Sequence, residues 1–226
     1  MKRINSILIA AALILTGAAS GSAAGADGKL DQVLNNMQKA AASITTIFVP
    51  NMEQLKRDNS IGGTEKYTGK VFFKHFGKGN DKVKIVYNVP QGQTVWVVGD
   101  EITLYQANIK QAIITSRKSA AARGGEFSVV ATPYASVPEL KRQYNIVYAG
   151  DEQGLAKLEL TPKARSSLKS MTLWVDQSSW LPVKSHVVEA NGNASTFTFG
   201  GLKKNDVIPS GSFDVKLPKD TKIVRK

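Results

Sequence analysis

Residues 155–205 read LAKLELTPKARSSLKSMTLWVDQSSWLPVKSHVVEANGNASTFTFGGLKKN. Apolar and polar residues alternate here with a period of two, which is typical of half-buried strands. The apolar side of this alternation contains Met171, Leu173, Val175, Phe197 and Phe199. Turn-forming residues separate the strands at 176–179 and at 191–193, and the second turn carries an Asn-Gly hairpin signal. The stretch therefore predicts an antiparallel meander with one face that needs an apolar partner.

Similar alternation continues on both sides of a helix-permissive region at 117–144. Further strands are predicted at 69–75, 82–89, 94–98, 102–105, 107–115, 144–148 and 156–160. Residues 51–67 are polar and contain Gly62-Gly63, which favours a loop or the edge of a sheet. The chain is thus expected to form roughly ten short strands in two groups, with a helical excursion between them.

An amphipathic helix is predicted over residues 30–47. Its apolar positions recur at spacings of three and four, and they are Leu30, Val33, Leu34, Met37, Ala41 and Ile44. A short helix is expected to begin at Pro138, because proline is favoured in the first helical turn. So few helices cannot cover a flat sheet of this size. We therefore predict an α+β, mainly β, fold in which a curved antiparallel sheet wraps around the helices.

The first 26 residues have the three parts of a secretory signal. Lys2 and Arg3 precede an apolar centre at residues 7–15, and small residues follow. The apolar centre is shorter than the ~18–20 residues that a membrane-spanning helix needs. We therefore predict a signal peptide over residues 1–26 and a single domain over 27–226, which works in a bacterial periplasm.

The composition favours binding over catalysis. The formal net charge of +12 favours contact with anionic surfaces, but the basic residues are spread through the strands, so no nucleic-acid site is predicted. The absence of cysteine excludes disulfides, thiolate metal sites and cysteine nucleophiles. His75 and His186 lie far apart in the sequence, and no serine stands in a nucleophile elbow. We expect no enzymatic activity, no metal and no cofactor.

Large apolar side chains on the inner face suggest what the protein binds. The candidate lining residues are Leu34, Met37, Val71, Phe73, His75, Ile85, Tyr87, Met171, Leu173, Val175, Phe197 and Phe199. They could form an ordinary core, or they could line a concave apolar surface that the helices fill incompletely. The two alternatives overlap, because covering helices would complete the core in a closed state and would form one wall of the cavity in an open state.

A set of short segments, in this order over nearly the whole chain after residue 26, matches the pattern of a known family. The matching segments are 69–74, Tyr87, Pro90, 99–100, 104–105, Gln111, 160–164, 171–175, Glu189, Phe213 and 217–218. On these residues the chain resembles the LolA-type periplasmic carriers of outer-membrane lipoproteins. The resemblance implies a half-open antiparallel barrel in which helices form a lid over an apolar cavity. It also implies a monomeric carrier of acylated lipoproteins. An ATP-driven ABC-type exporter in the inner membrane would supply the cargo, and a receptor in the outer membrane would accept it.

One position departs from the family pattern. Members of the family typically have an Arg-Pro pair after the first long strand, where the arginine helps to latch the lid. His75 and Phe76 stand at these positions here, and an imidazole donates fewer hydrogen bonds than a guanidinium. The leading hypothesis is a periplasmic shuttle for lipoproteins or a related acylated lipid. The alternatives are a sensor of lipidated ligands on the same scaffold and a hydrolase, for which the sequence offers no motif.

Overall fold

A computed structural model describes residues 22–74, 81–123, 136–209 and 211–226 of the chain. The described helices are α1 (Ser22–Ala42), the 3-10 helix η1 (Ala107–Ile109), α2 (Arg117–Arg123) and α3 (Val137–Gln143). The first strands are β1 (Thr46–Arg57), β2 (Thr64–Lys74), β3 (Lys82–Val89), β4 (Gln93–Val98), β5 (Glu101–Gln106) and β6 (Gln111–Ser116). The later strands are β7 (Tyr144–Glu152), β8 (Leu155–Pro162), β9 (Leu168–Asp176), β10 (Leu181–Glu189), β11 (Ala194–Gly200), β12 (Lys203–Lys204) and β13 (Lys222–Arg225).

The strands form one open, curved sheet in the order β13-β6-β5-β4-β3-β2-β1-β11-β10-β9-β8-β7. From β1 the chain runs outward through β2–β6, crosses by way of α2 and α3 to the far edge at β7, and returns through β8–β11. Neighbouring strands are antiparallel except β13, which runs parallel to β6. The short strand β12 pairs with the first half of β1. The predicted curved antiparallel sheet with a helical excursion between its two groups is confirmed.

The prediction of a loop or a sheet edge at residues 51–67 is wrong, because β1 and β2 both lie inside the sheet. β1 extends to Arg57 and β2 begins at Thr64, so only 58–63 form the connection. β1 departs from a simple alternation because Pro50 lies where the register shifts between Val49 and Met52. A strand tolerates proline at such a bulge, where the missing N–H breaks no regular ladder bond.

The predicted bounds of two other elements also need correction. α1 ends at Ala42 rather than at residue 47, because the β-branched and aromatic run that begins at Thr45 starts the first strand. The predicted strand at 107–115 begins only at Gln111, since η1 and the left-handed residue Lys110 precede it. The helix at Pro138 is confirmed as α3, whose cap Ser136 accepts a hydrogen bond from the Glu139 N–H.

The apolar core lies on the concave face of the sheet. The inward residues of β1–β5 and β7–β11 form one buried cluster, which α1, α2 and α3 all join. The helical members of this cluster are Val33, Leu34, Met37, Ala120, Val137 and Leu140. None of the helices that the structure describes is both long and apolar enough to cross a membrane.

Gly69 permits a close approach between β2 and β3. A Cβ atom added there would overlap the carbonyl oxygen of Val86 and would lie 3.1 Å from Cα of Tyr87. We therefore expect Gly69→Ala to lower the free energy of unfolding by about 1–3 kcal/mol in urea denaturation, because backbone atoms must shift. Gly63→Ala is the control, since its Cβ would meet Ile61 at an ordinary 3.7 Å. Equal stability of the two variants would contradict this account.

Candidate functional site

The structure brings the predicted lining residues together. Eleven of the twelve lie in described segments, and each is buried and belongs to the cluster on the concave face. These eleven are Leu34, Met37, Val71, Phe73, Ile85, Tyr87, Met171, Leu173, Val175, Phe197 and Phe199. The twelfth, His75, lies outside the described residues. Residues from both halves of the sheet and from α1 thus share one apolar interior.

Strand register explains how residues distant in sequence meet. On one side of β1, Val71 of β2 stands opposite Ile85 of β3. On the other side, Leu173 of β9 and Phe197 of β11 belong to one row across the sheet, because each pairs with the same residue of β10. The rings of Phe197 and Phe199 stack with their centroids 6.3 Å apart. The concave face is therefore continuous across the join between the two halves.

Helix α1 covers this face with its apolar side. Val33, Leu34 and Met37 are buried in the cluster, whereas Gln32 and Gln38 are exposed. The helix contacts β7, β10 and α3. Its salt bridge to α3, between Lys141 Nζ and Asp31 Oδ1, is 3.8 Å long and exposed, so it contributes little to holding the helix. Apolar packing is thus the main contact that keeps α1 on this face.

The junction between α1 and β1 is held by Asn205, which follows β12. Its Oδ1 accepts hydrogen bonds from Thr45 N at 2.8 Å and Thr45 Oγ1 at 3.1 Å, and its Nδ2 donates to the Ser43 carbonyl oxygen at 2.9 Å. Its backbone N–H donates to the carbonyl oxygen of Thr46 at 2.8 Å. Its φ of +56° lies in the left-handed region, where asparagine is enriched. Asn205 therefore fixes the point about which α1 would turn.

Two polar residues of the concave face were missed by sequence reasoning. Gln54 and Ser185 are each 0% exposed, and the Tyr87 hydroxyl donates to Gln54 Oε1 at 3.3 Å. Gln54 escaped notice because its stretch was interpreted as a loop. For Ser185 the sequence did contain a signal. Position 185 lies two residues before the buried Val187, so the alternation of β10 favours an apolar side chain there, and a serine stands in its place.

The outer face has a different chemistry, with lysines lying over indole rings. Lys184 Nζ lies 4.3 Å from the Trp174 ring centroid, and Lys84 Nζ lies 5.6 Å from that of Trp96. Burial lowers the pKa of Lys84. His186 lies on this face, with Nδ1 2.8 Å from Thr196 Oγ1, and its pKa is lowered by burial and then by Lys184.

In the described segments, no three acidic or histidine side chains are grouped to hold a metal ion.

Comparison with known proteins gives consistent matches. Residues 29–216 match the family described as outer membrane lipoprotein carrier protein LolA. The chain is 24% identical over 224 residues to the outer-membrane lipoprotein carrier protein of Neisseria gonorrhoeae, covering 99% of each chain. It is 26% identical over 231 residues to the protein of the same name from Pseudomonas entomophila, covering 100% of each.

A solved structure agrees with the fold. An uncharacterized conserved protein from Thermus thermophilus matches with a TM-score of 0.55 and 12% identity. The match covers 88% of this chain and 99% of the other. At this identity the likeness concerns the fold alone.

We expect Asn205→Gly to loosen the α1 junction. Glycine keeps the left-handed backbone available but removes three side-chain hydrogen bonds, each worth about 0.5–1.5 kcal/mol. Amide hydrogen exchange should therefore accelerate in α1 and in residues 43–45, while exchange in β9 stays slow. Lys204→Ala, at the exposed neighbouring position, is the control. Unchanged exchange in α1 of the Asn205→Gly protein would show that the junction is held by other contacts.

Proposed function

The chain belongs to the LolA family of outer-membrane lipoprotein carrier proteins, and on this premise we propose that it carries acylated lipoproteins, or a related acylated lipid, between membranes. Acyl chains would occupy the concave face beneath α1. The observation that carries this proposal is the convergence of eleven buried side chains from the two halves of the sheet and from α1. A surface of this kind suits hydrocarbon, because its recognition is apolar and needs no fixed polar geometry.

Opening the lid has a cost that an acyl chain can offset. Moving α1 away exposes Val33, Leu34 and Met37, at about 1.5–3 kcal/mol each, or about 5–9 kcal/mol together. An acyl chain that takes their place contributes about 0.8 kcal/mol per buried methylene, so a chain of roughly fifteen methylenes contributes about 12 kcal/mol. One long chain is thus enough to keep the helix displaced.

Release of the cargo follows from the same arithmetic. Three chains taken fully from water would exceed the practical affinity limit of about 18–21 kcal/mol. Transfer from one apolar site to another nearly cancels this term, and the lid regains its own contacts as the cargo leaves. Extraction from the first membrane still needs work. Since the sequence contains no phosphate-binding loop motif, we propose that a separate ATP-driven exporter supplies that work and that an outer-membrane receptor takes the cargo.

The proposed location is the periplasm. Residues 1–26 would act as a signal peptide, and residues 27–226 would form a single monomeric carrier domain. Removal of Lys2 and Arg3 would lower the formal net charge by two, from +12 to +10. We propose binding and release as the whole activity, without a catalytic step.

Photo-crosslinking tests the proposed binding face. Phe73 lies on the concave face, whereas its neighbour Phe72 points to the outer face and stacks on Phe48 at 4.9 Å. We expect a benzoylphenylalanine residue at position 73 to capture acylated lipoproteins in cells of the native host, as identified by mass spectrometry. The same residue at position 72 is the matched control and should capture none of them. Equal capture from both positions, or no lipid-modified product from position 73, would refute the proposal.

The lid itself can be tested with two variants of α1. Leu34→Ala removes a side chain that is 1% exposed and should lower the free energy of opening α1 by about 2–5 kcal/mol. Uptake of a fluorescent diacylated lipopeptide should therefore become faster. Gln38→Ala, on the exposed side of the same helix, should leave the rate within about twofold of the native value. If both variants take up the lipopeptide at the native rate, α1 does not gate the binding face.

A further inference from the structure

One row of side chains crosses the concave face at the join between the two halves. It runs from Leu173 of β9 through Ser185 of β10 and Phe197 of β11 to Gln54 of β1. All four residues are 0% exposed. The row continues to Tyr67 of β2, which stands opposite Gln54. Two polar side chains are thus set among apolar ones on the face that we propose to bind acyl chains.

Both polar side chains have hydrogen-bonding atoms without a partner among the described residues. Gln54 Nε2 and Ser185 Oγ are buried and make no hydrogen bond there. The contact that the structure gives to the Gln54 amide is the one from the Tyr87 hydroxyl to Oε1. Whichever way the amide is turned, one end of it has no partner among these residues in the closed arrangement.

Buried polar groups without a hydrogen-bond partner destabilise the closed core. A buried donor without an acceptor is strongly unfavourable, whereas an apolar residue of similar shape would be nearly neutral or stabilising. The neighbours Leu173 and Phe197 show that the row accommodates apolar side chains. Pairing with the Tyr87 hydroxyl accounts for Gln54 Oε1, but stability of the closed state alone gives no reason for the Gln54 Nε2 group or the Ser185 hydroxyl. A reason arises if a ligand supplies the missing partner when α1 is displaced.

The chemistry of the two groups defines that partner. Gln54 Nε2 carries two N–H donors and Ser185 carries one O–H donor, so both can satisfy an atom that only accepts hydrogen bonds. In an acylated ligand, the carbonyl oxygen of each ester or amide link is such an atom, and it lies directly at the end of the hydrocarbon chain. We propose that Gln54 and Ser185 form a polar subsite that binds the acyl carbonyl oxygens of the cargo. This inference rests on the proposed function and deepens it.

The position of the subsite suits this role. Adjacent strands are about 4.8 Å apart, so Gln54 and Ser185, two strands apart, are separated by roughly 10 Å at the backbone. Each could therefore receive the carbonyl of a different chain. Gln54 lies three residues before the end of β1 at Arg57, which places it near one rim of the sheet. Carbonyls held there would leave the hydrocarbon inside and let the protein part of the cargo extend past the rim.

A pair of matched ligands separates carbonyl recognition from apolar burial. One probe is a synthetic lipopeptide with two ester-linked palmitoyl chains, and the other carries the same chains through ether links, which lack the carbonyl oxygens. We expect the native protein to bind the diester about five- to tenfold more tightly than the diether. Gln54→Leu should reduce this preference to within about twofold without weakening diether binding, and Ser185→Ala should reduce it in part.

Controls and stability measurements complete the test. Gln91→Leu, in an exposed turn, should keep the native preference. Gln54→Leu removes a buried donor without a partner but also the acceptor of the Tyr87 hydroxyl, so its stability in urea should stay within about 1 kcal/mol of the native value. A native protein that binds diester and diether equally, or variants that keep the native preference, would overturn the subsite while leaving the carrier function intact.

Two further outcomes identify the source of the carbonyl or reject both proposals. Free palmitate is the third probe, since its carboxylate is also an acceptor at the end of a chain. Binding of palmitate that depends on Gln54, with no preference for diester over diether, would overturn ester recognition and would assign the subsite to free fatty acids. If none of the three probes binds, the proposed carrier function fails together with the subsite.

Discussion

The structure depends on the pairing of β1 with strands on both of its sides. β2 follows it directly in the sequence, whereas β11 returns to it after the chain has traced the rest of the sheet. Residues Asn51 to Arg57 of β1 pair with β11, and most of β1 pairs with β2. Without this strand, the two meanders β2–β6 and β7–β11 would each have an open edge and a separate face. With it, they form one continuous concave surface large enough to be covered by a helix.

The same strand ties the lid to the sheet. α1 ends at Ala42 and β1 begins at Thr46, so only three residues separate the covering helix from the strand that is paired on both sides. Asn205 binds both the carbonyl of Ser43 and the N–H of Thr45 across this short connection. These hydrogen bonds fix the end of α1 that adjoins the sheet. Apolar packing holds the part of α1 that is distant from β1, and hydrocarbon can replace packing of this kind. Hydrogen bonds hold the end of α1 next to β1, and hydrocarbon cannot replace them.

Sequence patterns predicted strands such as β9 and β11 better than they predicted β1. In these two strands one face joins the buried cluster and the residues between are mostly more exposed, with Trp174 of β9 the exception at 8% exposed. Turn-forming residues at 176–179 and 191–193 mark where the strands of this region end. β1 is interrupted by Pro50 and a register shift, and it carries the buried Gln54, so its pattern is that of a loop. Nine of the eleven described lining residues could be named from strand alternation, and Leu34 and Met37 from the helical spacing of α1. Gln54 could not be named in this way, and Ser185 was missed although it occupies an inward position of the alternation in β10.

The convex side of the sheet also carries buried side chains. Trp96 and Thr103 pair across β4 and β5 on the outward face, yet they are only 6% and 1% exposed, and Trp96 is absent from the helix-covered cluster. The chain between β12, beside β1, and β13, beside β6, has to pass β2–β5 to connect them, and it contains the buried Phe213. Thr46 Oγ1 donates to the Asp206 carbonyl oxygen at 2.7 Å where this passage begins. The connection is held at both ends, by the Asn205 contacts at its start and by the pairing of β13 with β6 at its end. The inner face is covered by α1, which joins the sheet through the three-residue connection that Asn205 holds and packs its apolar side on the cluster.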